Sequence, residues 1–331
     1  MPATRGPPAA GPRTAPAGPW AGSAQPTKET TISLSNVSCF SYLASVHTLY
    51  VDRYPPINYG VDVQRTDRFV AGDGPLVAAF LSALGHCATL LTNRVADDPA
   101  GRDIQARLRD WRVRWAPSPV IPTQTRVNIV VCDSAGNRTW FSGLRGIQAE
   151  LAEINLDPRS DATTVYVDCY EVLGQAPQPV VAAALDAGSQ VLLNLGGSPP
   201  PPWLAETLAG RRVAVVQTNA DEHDDVAADR QLEALRTLDI ADLAVVTAGR
   251  RGAVAAAHGQ PALTAPAIPV ELRQVQGAGA AFSAALIHSR SRGDPPPRSL
   301  AYACAAGSLW CGRSADGPLP RDEEIRALTR R

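Results

Sequence analysis

A glycine-rich segment near the carboxyl end of this 331-residue chain has the residue types needed to bind an anion. Gly277-Ala278-Gly279 is followed by an apolar, helix-like run from Ala280 to Ile287. A glycine turn at the start of a helix presents backbone N–H groups, and the helix dipole adds partial positive charge, so such a turn can bind a phosphate. The glycines could instead form only a helix-entry turn, because glycine permits positive φ and close packing.

Two further segments place polar residues just after predicted strands. Asn219 and Glu222 are spaced three residues apart, and Thr247 ends a second strand that is followed by Gly249 and Gly252. Carboxylate and amide oxygens can orient the water ligands that Mg²⁺ retains in proteins. The first pair could equally begin the helix that follows, and the second segment could be an ordinary strand end.

The order of these segments resembles the ribokinase/PfkB family of carbohydrate kinases. That family's signature is Asp-Thr-x-Gly-Ala-Gly-Asp-x-Phe, and residues 274–282 read Gln-Val-Gln-Gly-Ala-Gly-Ala-Ala-Phe. In the family, the Asp after the second Gly takes the proton from the substrate hydroxyl, and Ala280 occupies that position here. The resemblance therefore implies an anion hole at Gly277, Ala278 and Gly279 that has lost its catalytic base.

Other segments resemble the family's motifs in order and spacing, from about Ile32 to Leu328. They are Asp52-Arg53-Tyr54-Pro55, Ala96 to Arg102, Gly136-Asn137-Arg138-Thr139, Asn219-Ala220-Asp221-Glu222 and Thr247 to Gly252. The resemblance implies that Asn219, Glu222, Thr247, Gly249 and Gly252 lie near a nucleotide. It also implies ATP and Mg²⁺ as cofactors, with Asn219 and Glu222 acting on the metal indirectly.

The departures from the family pattern lie on the side that would bind the substrate. The family has a Gly pair followed by an Asn that holds the sugar, and this chain has Gly72-Asp73 followed by Leu76. Leucine has no side-chain hydrogen-bonding group. Ser45 is the nearest match to the family's early sugar-binding Asp. Asp73 could be a turn residue, since Asp accepts local N–H bonds, or it could contact a substrate hydroxyl.

The elements that must position these residues follow an α/β pattern. Near-continuous apolar strands alternate with helices, which predicts a mostly parallel central sheet covered on both faces. The resemblance implies a ribokinase-like, three-layer α/β/α domain over residues 31–328, with small lid strands roughly within 48–70. Residues 72–75 are expected to form a turn before a helix at Leu76–Leu84, and the helix after the glycine turn is expected at Ala280–Ser289.

Composition limits the remaining possibilities. A net charge of −1 gives no support for nucleic-acid binding, and no stretch approaches the roughly 20 apolar residues of a membrane span. Six cysteines without a Cys-x-x-Cys pair favour a reduced, cytoplasmic setting. Residues 1–30 are rich in Pro, Ala and Gly and are expected to form a disordered tail.

These observations support two functions of different classes. The first is ATP-dependent phosphoryl transfer to a sugar, nucleoside or related small alcohol, slowed or altered by Ala280, with Asp73, His223 or His288 as candidate replacement bases. The second is a catalytically inactive protein that binds a nucleotide or phosphorylated metabolite as a regulator or assembly partner. A third possibility is that Ala280 was engineered from Asp. That single change would not explain why Gln274-Val275 and Leu76 also differ from the family pattern. Edge pairing of the lid strands could also form a homodimer.

Overall fold

The computed structural model describes residues 35–135, 137–154, 156, 162–314 and 317–330. The predicted disordered tail at residues 1–30 and Gly136 of the predicted Gly-x-Arg-Thr motif lie outside the described residues. The described residues belong to one compact unit. None of their helices reaches the length and hydropathy of a membrane span.

The described residues contain thirteen strands and nine α-helices, numbered in chain order. The strands are β1 Asn36–Phe40, β2 Ala44–Val51, β3 Val63–Ala71, β4 Cys87–Thr92, β5 Arg114–Pro117, β6 Val127–Cys132, β7 Arg138–Phe141, β8 Thr164–Asp168, β9 Gln190–Asn194, β10 Val215–Asn219, β11 Leu243–Thr247, β12 Ala253–Ala257 and β13 Ala262–Ala265. The helices are α1 Asp73–Ala83, α2 Pro99–Asp110, α3 Ile147–Ala152, α4 Gln178–Asp186, α5 Trp203–Leu208, α6 Ala227–Leu238, α7 Ala278–Ser291, α8 Pro296–Cys311 and α9 Asp322–Thr329.

Nine strands form the central sheet in the order β13-β12-β11-β10-β9-β8-β1-β4-β5. In this spatial order, all neighbouring strands between β11 and β5 pair in parallel, whereas β12 runs antiparallel to both β11 and β13. This confirms the predicted mostly parallel sheet. The strand order reverses at β1, which lies between β8 and β4, and ligands of open α/β sheets bind outside the carboxyl ends of strands at such a switch point.

Alternate side chains of the inner strands enter separate cores on the two faces of the sheet. In β8, Val165 and Val167 belong to one buried cluster and Tyr166 to the other. The cluster around Tyr166 contains residues of α1, α7 and α8, and the opposite cluster contains residues of α4, α5 and α6. Because strand side chains alternate in direction, a strand with helices on both faces must be apolar at nearly every position, as the sequence pattern predicts.

A separate four-stranded sheet, in the order β3-β2-β6-β7, forms the lid. The lid is larger than the strands expected within 48–70, because β2 begins at Ala44 and because β6 and β7 belong to the lid sheet. β2 pairs in parallel with β6, far along the chain, and a local pattern cannot reveal such a pairing. Val46 and Val130 are buried, so the lid face that carries them packs on the body.

Several predicted boundaries are wrong. Helix α1 begins at Asp73, so only Gly72 remains of the turn expected at residues 72–75. Helix α7 begins at Ala278, two residues before the expected start. The sequence interpretation also missed the short elements β5, β13, α3 and α9.

Two buried histidines connect α7 with β4 and α9. His86 Nε2 and His288 Nδ1 are 2.9 Å apart, and His288 Nε2 lies 3.5 Å from Asp322 Oδ1. Burial, together with the charge that His86 would carry, lowers the pKa of His288 to about 4. His288 is therefore neutral in the folded protein at pH values where it would be charged in the unfolded chain.

We expect His288→Gln to change how stability depends on pH. The folded pKa of His288, about 4, is below its ordinary value of 6.5. Between these pH values the unfolded chain binds a proton at His288 that the folded protein does not, so lowering the pH favours the unfolded state. The unfolding free energy of the wild type should then decrease relative to the variant by up to about 1.4 kcal/mol per pH unit. Urea unfolding of both proteins from pH 7.5 to 4 measures this difference, and a constant difference would contradict it.

Candidate active site

The glycine turn is held in place by a tryptophan. Gly277 caps α7 with φ of 80°, and a Cβ at this position would lie 2.9 Å from Trp310 Nε1 and 3.1 Å from Leu76 Cδ1. The Trp310 indole donates to the backbone oxygen of Gln276 at 2.7 Å. The turn therefore needs glycine at 277 for both its backbone angle and its packing.

The start of α7 offers hydrogen-bond donors to a ligand. Among the described residues, no acceptor is bound to the backbone N–H groups of Gly279 and Ala280, as expected for the first turn of a helix. Gly279 is exposed, and a Cβ built on it would meet no atom within 4 Å, whereas Ala280 is fully buried. Ser283 Oγ lies 2.9 Å from the Gly279 oxygen and 3.0 Å from Gln217 Oε1, and its single proton can bond either one, which places the first turn of α7 against β10. This arrangement can bind an anion.

The Ala280 position carries no acid–base group and is fully buried. The candidate replacement His288 lies eight residues further along α7, about 12 Å at 1.5 Å per residue, in the histidine pair described above. His223 is exposed, and its Nε2 lies 3.9 Å from Glu222 Oε1. Neither histidine contacts the glycine turn among the described residues.

Four of the five predicted nucleotide residues come together at the ends of β10 and β11. Asn219 and Thr247 are cross-strand partners. The Arg250 backbone N–H donates to Glu222 Oε2 at 2.9 Å, and a Cβ at Gly249 would lie 1.9 Å from that oxygen. Glu222 thus stabilises the short turn after β11 directly, a role that its sequence position did not indicate.

The fifth, Gly252, closes that turn. Its φ is 94°, and a Cβ there would lie 2.1 Å from the Ala265 oxygen. The glycine therefore allows the turn to pack against the end of β13.

Two carboxyl groups lie at the switch point of the sheet. Asp168 ends β8, and Asp73 is the first residue of α1. The Gly74 N–H donates to Asp168 Oδ2 at 3.1 Å, which attaches α1 to the strand. Gly72 has φ of 102°, and a Cβ there would lie 2.1 Å from the Tyr42 oxygen. The glycine allows the close approach that brings Asp73 to this edge.

An asparagine and two tyrosines connect these carboxyl groups. Asn194 Nδ2 lies 3.1 Å from Asp73 Oδ2 and 3.1 Å from Asp168 Oδ1. The Tyr166 hydroxyl donates to Asp168 Oδ1 at 2.7 Å, and the Tyr170 hydroxyl donates to Asp73 Oδ2. The five side chains form one hydrogen-bonded network.

The two carboxyl groups differ in how fully they are bonded. Asp168 Oδ2 also accepts from Ser41 Oγ at 2.5 Å, so both of its oxygens have donors. Asp73 Oδ1 has no donor among the described residues. In the same part of the chain, no Lys, Arg or His side chain forms an ion pair with the Asp73 or the Asp168 carboxyl group. Burial and the charge of Asp73 raise the pKa of Asp168 to about 7, and burial also raises the pKa of Asp73. Asp73 therefore has the acceptor oxygen that remains open to a ligand.

The other two predicted substrate residues lie apart from this network. Ser45 is buried in β2, where its N–H donates to the Arg126 oxygen at 2.9 Å. Leu76 is buried against Gly277 and supports the glycine turn. No described hydrogen bond joins Ser45 to Asp73.

The sequence interpretation missed most of the network. Ser41, Tyr166, Asp168, Tyr170 and Asn194 were not singled out, although Asp168 and Asn194 end β8 and β9 and Ser41 directly follows β1. The signal was available, because a polar residue ending a buried strand of a parallel sheet points to the ligand-binding edge.

The doubly wound sheet, the four-stranded lid and the glycine turn heading a helix define a ribokinase-like α/β protein. The family model for pfkB family carbohydrate kinases matches residues 36–322, which is most of the chain. The chain belongs to the pfkB family of carbohydrate kinases.

Known proteins agree with this assignment. A nucleoside kinase of Methanocaldococcus jannaschii, an archaeal member of the ribokinase family, superposes with a TM-score of 0.70 at 16% identity over 89% of this chain and 98% of that one. Ribokinase of Arabidopsis thaliana, complexed with ribose and ATP, gives 0.68 at 18% identity over 90% and 99%. The bifunctional protein HldE of Pseudomonas aeruginosa strain UCBPP-PA14 is 30% identical over 190 residues, 56% of this chain and 38% of that protein. The match thus spans less than half the length of this curated relative.

We expect Gly277→Ala and Gly279→Ala to differ in their effect on stability. Gly277→Ala should lower the unfolding free energy by about 1–3 kcal/mol, because Ala must adopt a positive φ against Trp310. Gly279→Ala should leave stability unchanged or raise it by about 0.5–1 kcal/mol, since this residue is within a helix and its Cβ is unobstructed. Chemical denaturation checks both values, and equal effects of the two substitutions would contradict the described turn.

We expect Asp73→Asn to lower the pKa of Asp168. The negative charge of Asp73 contributes to raising that pKa to about 7, and Asn removes the charge while keeping the side-chain shape. Carboxyl-carbon NMR titration of both proteins measures the change, with Asp322, which is outside the network, as an internal control. An unchanged Asp168 pKa would show that the two carboxyl groups do not interact.

Proposed function

We propose that this protein binds ATP at the Gly277–Gly279 turn and transfers its terminal phosphoryl group to a small alcohol slowly or in an altered way. The observation that carries the proposal is the pair of N–H groups at Gly279 and Ala280 that no described acceptor binds, at the positive end of α7, where Gly279 is exposed. Phosphoryl transfer depends mainly on positioning and charge stabilisation, which such donors supply.

The missing base accounts for the slow rate that we propose. Ala280 cannot take a proton from an acceptor hydroxyl, and general-base catalysis typically contributes about 10²–10⁴-fold. An acceptor with hydroxyl groups could donate a hydrogen bond to Asp73 Oδ1, the open oxygen of the network. We propose Gly72 and Asp73 as acceptor-binding residues, whereas Leu76 and Ser45 contribute by packing. The acceptor class, a sugar, nucleoside or similar alcohol, follows from the family.

Mg²⁺ fits this site only indirectly. In the described part of the chain, no group of three or more His, Cys, Asp or Glu side chains is placed to hold a metal. Glu222 Oε2 is bonded to Arg250, and Oε1 has no backbone donor among the described residues. We propose that Asn219 and Glu222 orient waters of a Mg²⁺ bound mainly by the nucleotide phosphates, where the ion would neutralise phosphate charge.

A second function is supported by the burial around the lost base. Ala280 is fully buried, and Leu76 packs on the turn where the family places a sugar-binding amide. A protein with these features could bind a nucleotide or phosphorylated metabolite without catalysis and act as a regulator or assembly partner. The rate of phosphoryl transfer separates the two functions.

Two further expectations accompany the proposal. We propose that the lid forms a homodimer, because Ile129 and Phe141 are cross-strand neighbours on its outer face and expose 40% and 58% of their surface. All six cysteines are free, which supports the proposed reduced, cytoplasmic setting.

The proposed function predicts that ATP and ADP bind in the presence of Mg²⁺ and that AMP binds more weakly, because the turn recognises phosphates beyond the first. Calorimetric titration of the wild type and of Ala280→Asp checks this.

We expect the unfolding free energy of Ala280→Asp to be lower than that of the wild type by about 1–3 kcal/mol, since the variant buries a carboxyl group. Failure of all three nucleotides to bind the wild type would overturn the proposal and direct the search to protein partners.

A further inference from the structure

The lid and the glycine turn are joined by a side-chain hydrogen bond. Gln276 Nε2 donates to Thr48 Oγ1 at 2.9 Å. Gln276 immediately precedes the glycine turn, and Thr48 is a buried residue of β2. Its cross-strand partner Val130 is also buried, which places Thr48 on the lid face that packs on the body.

The main chain of Gln276 is fixed from the opposite side. Its oxygen accepts the Trp310 indole N–H at 2.7 Å, and Trp310 also packs where a side chain at Gly277 would lie. The amide side chain of Gln276 therefore extends from an anchored backbone to the lid. A shift of β2 relative to α8 would stretch or break the Gln276–Thr48 bond.

The lid also reaches this tryptophan through an apolar contact. The rings of Phe69, in β3, and Trp310 are 6.5 Å apart between centroids. Phe80 of α1 packs edge-to-face on the same indole at 5.0 Å. One side chain, Trp310, thus touches the lid, α1 and the turn. The polar and the apolar contacts give the turn two connections to the lid.

We propose that Gln276 is a positioning residue that couples the lid to the anion-binding turn, so that the position of the lid sets the affinity of the turn for phosphate. The inference rests on the proposed function of the turn. Breaking the Gln276–Thr48 bond would leave the buried Thr48 hydroxyl without this partner, which is unfavourable. The bond therefore stabilises the described positions of the lid and of the turn together. Such coupling is reciprocal, and phosphate bound at the turn must also hold the lid.

The test is a double-mutant cycle of Gln276→Ala and Thr48→Val, with Thr48→Ser as the control that keeps the hydroxyl. We expect each single substitution to weaken ADP binding about three- to tenfold, the size of one lost hydrogen bond. The double variant should bind like the single variants, and Thr48→Ser should bind like the wild type. Adenosine, which lacks phosphate, should bind all forms with one affinity.

Hydrogen exchange of β2 amides supplies a second measurement, and thermal unfolding of each variant confirms that it is folded. ADP should slow exchange in β2 of the wild type and of Thr48→Ser, and not in Gln276→Ala. Three results would overturn the coupling and leave the proposed function standing. They are additive losses of ADP affinity in the cycle, equal losses of affinity for ADP and adenosine, and a slowing of β2 amide exchange by ADP that is the same with and without Gln276. No ADP binding by the wild type would overturn the proposed function, and the coupling with it.

Discussion

The packing of Trp310 against Gly277 is the constraint on which the site depends. The indole occupies the space that a side chain at Gly277 would need, and it fixes the preceding carbonyl oxygen by a hydrogen bond. With the backbone held at positive φ, α7 begins at the next residue, and no described acceptor binds the N–H groups of Gly279 and Ala280. The same indole contacts Phe69 of the lid and Phe80 of α1, so the core and the anion-binding turn share one anchor.

The two sides of the site have changed to different degrees relative to the family pattern. The segments at residues 249–252 and 277–279 keep the glycines of that pattern, and Glu222 accepts the Arg250 N–H in the turn after β11. By the resemblance, Ala280 stands where the family pattern has its base, and a hydrogen-bonded network with two carboxyl groups lies beside Gly72. Asp168 is fully bonded and buried, whereas Asp73 keeps one open oxygen.

The sequence predicted the parts of this structure that depend on local patterns. Apolar strands alternating with helices gave the central sheet, and the glycine motif located the start of α7 within two residues. The pairing of β2 with β6 and the meeting of Asp73 with Asp168 were not predicted, because both join residues about 80 to 95 positions apart through topology. Glu222 was associated with a nucleotide, and its direct contact with the Arg250 N–H became visible only in three dimensions.

Transfer of the labelled γ-phosphoryl group of ATP to ribose and to hexoses, with protein in excess over nucleotide, is the most direct test of the central claim. That claim is that the chain keeps a phosphate-binding turn and lacks the base that uses it. The account predicts bound ATP and transfer that is absent or at least about a hundredfold slower than in a family kinase with the Asp. Transfer to such sugars at the rate of a family kinase would contradict it.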